Sequence, residues 1–392
     1  MGNLSEKGIV MIKVVYVVPI IAPYAIPRYQ ELAKNKDIEV HVIAERDTNA
    51  ERAGWHFQNI EGVKTYLLQG KITKSFEIKN RKDGYKMQKS RVFSTELRKK
   101  IKEIEPDVVL TCNSTQLMLL LGQKRTYKLG VVVEDTLRAA EGRSTVDAFI
   151  KKIMLKTADF YLPFSNDAVA FLEANGIKGP FIRSTWSMDV DFFRDLSQAE
   201  IEKKKIEYGM IKKCNYVLVA GLIPRKGILQ FLEAWKEMKI EFQRDSDLFI
   251  LGDGILKNDI CRYTIENGLK NVKLVGNKSY EEVSHYLQCG DVFVLPTLED
   301  LCSLSVLEAM AAKKPVLTTV YNGARQFVEE GRNGYIFDTL NKPEVIKVLE
   351  TMHQTDLESM SAASEEIVEN YSTKKVMENL AQELLKMCSA EQ

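Results

Sequence analysis

Short β-branched runs recur along the chain, each followed by a stretch of helical period, and this alternation leads to βα units wound around a parallel sheet. In the first half the predicted strands are 12–18, 39–43, 64–68, 107–111, 130–133 and 160–162, with helices filling the gaps. In the second half 215–219, 248–251, 272–275, 292–295, 316–318 and 335–337 repeat the scheme at tighter spacing. The fold class read from this is α/β, with two doubly wound, Rossmann-like domains. A length of 392 residues suits two such domains and exceeds one. The pattern breaks between 181 and 215, which predicts an N-terminal domain over 1–190, a second domain over 191–370 and a C-terminal helix over 371–392. In that helix Val376, Leu380 and Leu384 share one face behind Ser372 as N-cap, and the face is expected to pack back on the first domain. Ligands of open α/β sheets sit beyond the carboxyl ends of the strands, so two facing sheets predict an interdomain cleft.

Composition removes several classes. With 45% apolar and 28% charged residues the chain buries a core, which excludes disorder and coiled coil. The longest apolar run, 14–27, carries Pro19, Pro23 and Pro27 and is too short to cross a bilayer as a helix. Residues 1–10 lack the features of a secretory leader, and Glu6 does not fit a myristoylation signal. The six cysteines form no CxxC pair, which fits reduced thiols and a cytoplasmic location. Charge is uneven: 1–185 holds 30 Lys and Arg against 21 Asp and Glu, and 186–392 holds 25 against 33. The basic excess concentrates in 61–105, with 13 basic and 6 acidic residues. That stretch reads either as a solvated helix and loop surface or as a patch for an anionic acceptor or a phospholipid surface, the latter at the inner membrane face. Few aromatics interleave with it, so nucleic acid is not an expected partner.

Two segments carry chemistry. In VLVAGLIPRKGILQFLEA, 217–234, a strand runs into a turn with Arg225 and Lys226 and then a helix beginning near Gly227. Two cations beside the free amides of a helix start suit a diphosphate, although the pair is equally at home on a solvated turn. In GDVFVLPTLEDLCSLSVLEAMAA, 290–312, a strand leads through Pro296 to Glu299 and Asp300 and then to a helix carrying Glu308. Carboxylates in a loop and in the following helix can reach one ligand from two sides, and a carboxylate accepts two hydrogen bonds from a vicinal diol. Val306, Leu307, Ala309 and Met310 argue that this helix is buried, so Glu308 needs a partner. Leu301, Cys302, Ser303 and Leu304 are expected to offer amides toward an anion at the helix start.

These segments, together with LGDG at 251–254, LVGN at 274–277 and NGARQFVEEGRNGYIF at 322–337, resemble the nucleotide-binding half of retaining glycosyltransferases of the GT-B fold. The family is group 1, which includes the glycogen and sucrose synthases, and the resemblance covers 215–338. TADFYLPFSNDAVAFLEANGI, 157–177, and MDVDFF, 188–193, are similar to the end of the family's first domain and its linker. The resemblance implies that Glu308, the second Glu of an E-x7-E motif, binds the ribose and that Lys226 holds the diphosphate. It implies a donor site bordered by Gly221, Gly252, Asp253 and Gly254, with Val275, Gly276, Asn277 and Lys278 near the base. Two departures stand out. The motif's first Glu falls on Asp300, with Glu299 one residue early, and its Arg falls on Gly221, with Arg225 as the substitute for the lost charge.

The first domain is less similar. VVPIIAPYAIPRYQELAK, 17–34, is a proline-rich turn where many members have a Gly-rich loop. Some members that act on bacterial polysaccharides show a similar Pro-Tyr turn, so Pro23 and Tyr24 are assigned to the acceptor side. Many relatives place a His after a middle strand. Here VVVEDTLRAAEG, 131–142, has Glu134, Asp135 and Arg138, and none of His41, His56, His285 and His353 sits there. Glu134 or Asp135 as acceptor base stands against a purely structural role for both. The D-x-D string at Asp189 and Asp191 lies in the linker, away from Arg225 and Lys226, and no metal site is assigned to it.

The function expected on this basis is retaining transfer of a sugar from a nucleotide-diphosphate sugar to a hydroxyl acceptor, without metal or other cofactor. The acceptor is expected to be a glycan or lipid-linked glycan in polysaccharide or glycolipid synthesis. Peripheral contact with an anionic membrane goes with that expectation. A nucleotide-sugar 2-epimerase and a non-catalytic sugar-nucleotide binder are the alternatives, and the absence of G-x-G-x-x-G counts against a dehydrogenase.

Overall fold

The computed structural model of the chain describes residues 11–48, 56–69, 71–79, 86–112, 114–120, 125–140, 145–183 and 186–389. It divides into two units. The first runs to Ser187 and takes back Thr373–Gln392; Met188–Ser372 lies in the second.

The first unit is built on a six-stranded parallel sheet of β1 (Ile12–Val18), β2 (Ile38–Ala44), β3 (Lys64–Leu67), β6 (Val108–Thr111), β7 (Lys128–Val133) and β8 (Phe160–Pro163). Their order is β3-β2-β1-β6-β7-β8. The β-branched runs are buried on both faces, as a parallel sheet covered by helices requires. Val14, Val40, Val42 and Leu110 enter one core, while Val15, Val17, Ile43 and Val109 enter the other. The C-terminal helix Thr373–Ser389 belongs to the first of these cores: Val376, Leu380 and Leu384 pack there with Tyr29 and Leu32 of helix Ile26–Ala33.

Between β3 and β6 the expectation of helix and loop fails. Lys71–Lys79 (β4) and Lys86–Ser94 (β5) form an antiparallel hairpin that pairs with neither large sheet, and among the described residues of this stretch only Glu96–Ile104 is helical. Lys and Ser at alternate positions hide the period-2 pattern from a reading based on apolar runs.

The second unit repeats the architecture with β9 (Cys214–Val219), β10 (Ser246–Leu251), β11 (Val272–Gly276), β12 (Val292–Val294), β13 (Val316–Thr319) and β14 (Gly334–Phe337), ordered β11-β10-β9-β12-β13-β14. Helix Ile228–Glu237 covers this sheet with Phe231, Leu232 and Trp235, and the Trp235 ring meets Tyr216 edge-on at 5.2 Å. In each sheet the strand order reverses beside the first strand of its unit. The crevice for a ligand therefore lies beyond the carboxyl ends of β1 and β6, and of β9 and β12.

Candidate active site

β9 pairs with β12, Tyr216 opposite Val292 and Val217 opposite Phe293, so the loops leaving both strands emerge side by side. They are the two segments that sequence reasoning singled out. The β9 loop ends in a 3-10 turn, Pro224–Lys226, followed by Gly227 and helix Ile228–Glu237. Gly227 has φ +66°, and a Cβ there would lie 2.1 Å from the Pro296 carbonyl oxygen. Only glycine lets the two loops close to this distance. Gly227→Ala is accordingly expected to destabilise the protein by about 3 kcal/mol, read as a shift in the urea midpoint.

A ladder of hydroxyls fastens the loops together. The Thr297 hydroxyl lies 2.9 Å from the Arg225 carbonyl, Thr319 donates to the Thr297 carbonyl at 2.7 Å, and Thr339 donates to the Pro296 carbonyl at 2.9 Å. Leu298 N donates to the Arg225 carbonyl at 2.8 Å. Asp300 is anchored by its own backbone: its N–H donates to Tyr321 O at 3.1 Å and its carbonyl accepts from Gly323 N at 3.0 Å.

Lys226 and Asp300 form a buried ion pair, and Arg225 stands beside it. The Arg225 guanidinium donates to Glu299 O at 3.0 Å and lies 3.4 Å from Asp300 Oδ2. Burial pulls Lys226 below the usual lysine range against the opposing pull of Asp300. Burial works against charge on Asp300 too, but Lys226, the Ser303 hydroxyl and Arg225 hold its carboxyl below the ordinary value. Of the two neighbouring acids, Asp300 is thus the one bound to the cation, while Glu299 contributes its carbonyl.

Glu308 is buried on helix Leu304–Ala311, where the Tyr280 hydroxyl donates to its Oε1 at 3.2 Å. Burial pushes this carboxyl up to about 7, with Tyr280 opposing the rise. Tyr280 is itself held by the MDVDFF segment: Phe192 stacks on it at 5.0 Å and Phe193 meets it edge-on at 5.5 Å. Within that segment Asp189 Oδ1 accepts from Phe192 N at 3.3 Å, which gives the first aspartate of D-x-D a role in the turn.

The other donor-side residues divide by what they touch. Gly252 has φ +134° and a Cβ there would fall 1.9 Å from Ala220 O, so it is needed for the crossing of the β9 and β10 loops. Gly221 and Asp253 meet at the same crossing, where Leu222 N donates to Asp253 O at 2.9 Å, and the Asp253 carboxylate pairs with Lys257 at 3.0 Å. Gly254 packs on Leu222. At the end of β11, Val275 is half-buried and Gly276 O accepts from Gly252 N at 2.8 Å, and Asn277 just beyond the strand is exposed. Lys278 pairs with Glu282 at 3.1 Å. One expectation is corrected at the helix start following Leu301 and Cys302. The Ser303 amide is not available to an anion, because it donates to Asn322 Oδ1 at 3.2 Å. Ser303 makes no side-chain cap for the helix that begins at Leu304.

In the first unit Pro23 and Tyr24 lie exposed on the 3-10 turn Pro23–Ala25 beyond β1, and Glu134, Asp135 and Arg138 follow β7. Asp135 is ion-paired with Lys151, whereas Glu134 and Arg138 are exposed. Sequence reasoning missed Glu45, buried just beyond β2, whose N–H donates to Val18 O at 2.9 Å. It also missed Tyr280 and Thr297, whose partners Glu308 and Arg225 lie on other elements, and Asn322, which caps the turn Gly323–Phe327 by accepting from Ala324 N at 3.0 Å. Among the described residues, no group of three or more His, Cys, Asp or Glu is placed to hold a metal.

Residues 214–354 match the family model described as glycosyl transferases group 1. Among curated proteins the chain is 26% identical over 167 residues to an alpha-D-kanosaminyltransferase of Streptomyces kanamyceticus, covering 41% of this chain and 42% of that one. It is 31% identical over 127 residues to the UDP-Gal:alpha-D-GlcNAc-diphosphoundecaprenol alpha-1,3-galactosyltransferase of Escherichia coli, covering 31% and 32%. An uncharacterized glycosyltransferase of Methanocaldococcus jannaschii is 28% identical over 142 residues, covering 36% and 39%. The matched stretch thus spans well under half of each of these relatives. Among solved structures, HepE of Anabaena in complex with UDP superimposes with TM-score 0.72 at 14% identity, covering 95% of this chain and all of that one (100%). The sucrose-phosphate synthase of Thermosynechococcus elongatus gives 0.71 at 14% identity, covering 96% and 100%. The fold is that of these GT-B structures, two Rossmann-like α/β units each with a six-stranded parallel sheet.

Proposed function

We propose that the chain is a group 1 glycosyltransferase that moves a sugar from a nucleotide-diphosphate sugar to a hydroxyl acceptor with retention of configuration. The observation that carries this reading is the Lys226–Asp300 pair, with Arg225 beside it, at the point where the second sheet reverses its strand order. The group 1 match over 214–354 includes both loops. The name of the S. kanamyceticus relative supports sugar transfer, and that of the E. coli relative supports a sugar-nucleotide donor and a lipid-linked acceptor.

In this reading the diphosphate draws Lys226 away from Asp300. Breaking the bond between the anomeric carbon and the β-phosphate oxygen builds negative charge on that phosphate, where Lys226, Arg225 and the amides at the start of helix Ile228–Glu237 lower the barrier. Asp300, once released, or Glu299 orients the hydroxyls of the sugar. Glu308 accepts hydrogen bonds from the ribose diol, held in place by Tyr280. The acceptor oxygen bonds to the anomeric carbon on the face the phosphate leaves, and its proton passes to the departing phosphate.

Thermal unfolding with a panel of nucleoside diphosphates tests the donor half. A diphosphate at 100 times its Kd is expected to stabilise the protein by about 2.7 kcal/mol. Nucleotide sugars incubated with and without a hydroxyl acceptor then separate the chemistries. Transfer requires the acceptor, epimerisation proceeds without it, and a pure binder does neither.

A further inference from the structure

We propose that the outer face of helix Thr145–Leu155 in the first unit docks on an anionic lipid bilayer. On a surface helix the apolar stripe ordinarily faces the core. This helix buries Met154 and Leu155 and turns a second apolar stripe outward. Val146, Phe149, Ile150 and Ile153 follow the spacing i, i+3, i+4, i+7 and are exposed at 64%, 63%, 48% and 49%. Elsewhere among the described residues, exposed large apolar side chains stand one to an element.

Charge selects the occupant. Lys152 and Lys156 run beside Phe149 and Ile153 at three-residue spacing, and Lys156 keeps the helical track, its N–H donating to Lys152 O at 3.2 Å. Asp147 falls on the other flank, and the acid facing this helix from the preceding loop, Asp135, is ion-paired with Lys151. An apolar stripe rimmed by lysines is the chemistry that lies in the headgroup boundary of anionic lipid. The neighbouring hairpin carries the same composition. Its register pairs Ile72 with Phe93, Lys74 with Arg91 and Phe76 with Lys89. Strand β5 adjoins helix Ser114–Leu120, which in turn adjoins Thr145–Leu155. This inference goes beyond the donor reading and needs no nucleotide for its test.

The experiment is flotation of the full chain with unilamellar vesicles of phosphatidylcholine, alone or with about one third phosphatidylglycerol. The protein is expected to float with the phosphatidylglycerol vesicles and much less with phosphatidylcholine alone. Phe149→Asp should reduce the partition coefficient about tenfold or more, and Lys152→Glu with Lys156→Glu should reduce it several-fold. In a Phe149→Trp variant, the added fluorescence should move to the blue on mixing with the anionic vesicles. Unfolding temperature and its rise with nucleoside diphosphate are measured on the same variants, so failure here is distinguishable from failure of the donor site. The proposal is overturned if wild-type protein stays in solution with the anionic vesicles, or if Phe149→Asp binds them equally. It is also overturned if the wild type is a dimer in solution that Phe149→Asp converts to monomer, for then a second copy covers the stripe.

Discussion

Replacing Lys226 by methionine is expected to lower donor turnover by about two orders of magnitude or more and to destabilise the second unit by about 3 kcal/mol. The first effect follows from losing the cation that faces the diphosphate. The second follows from burial: Asp300 would keep its charge in a site where the remaining cation, Arg225, lies 3.4 Å away. The two effects separate in a double variant. Lys226→Met with Asp300→Asn removes both charges together, so the urea midpoint should return most of the way to wild type while turnover does not recover. Wild-type turnover in the single variant would remove Lys226 from the mechanism. An unchanged urea midpoint would mean that the ion pair is not what fastens the loops.

Glu308→Gln is expected to make the protein more stable and a poorer donor binder at the same time. Its carboxyl is held at about 7 against an ordinary 4.5, so the unfolded chain gives up this proton first as pH rises. The folded state therefore loses stability across that window, by roughly 3 kcal/mol once pH passes 8. Glutamine cannot ionise and escapes the loss, so the variant should melt above wild type at pH 8 and close to it below pH 4.5. Donor affinity should move the opposite way. The diol binds best to the ionised carboxylate, so wild-type affinity should fall toward tenfold per pH unit below about 7. The glutamine variant should show a flat profile about 30-fold weaker at pH 8. A nucleotide sugar is the right probe, because its doubly esterified diphosphate does not titrate there. A variant that melts with wild type at both pH values would place Glu308 in a less costly setting than its burial indicates.

Both effects depend on contacts that a linear reading reaches only in part. The βα alternation was legible because strands such as β1 and β9 are β-branched and buried on both faces, which leaves continuous apolar runs. The hairpin β4–β5 was not, since it joins no large sheet and its apolar residues are interrupted by Lys, Ser and Gln. At the site, the turn bearing Arg225 and Lys226 and the helix bearing Glu308 could be placed because each follows a recognisable strand. The pairing of Lys226 with Asp300 could not, because it depends on β12 lying beside β9, a matter of strand order. Tyr280 shows the same limit. Its ring and hydroxyl are aligned by Phe192 from one segment and by Glu308 from another, and neither contact has a sequence period. The Ser303 amide was assigned to an anion for want of its real partner, Asn322, which comes from the loop beyond β13.

The most direct measurement is a crystal structure of the chain with a nucleoside diphosphate chosen from those that raise its unfolding temperature. The phosphates are expected beyond the carboxyl ends of β9 and β12, with an oxygen about 3 Å from the Lys226 ammonium and Lys226 drawn off Asp300. A diphosphate bound away from these loops, with Lys226 still closed on Asp300, would contradict the assignment.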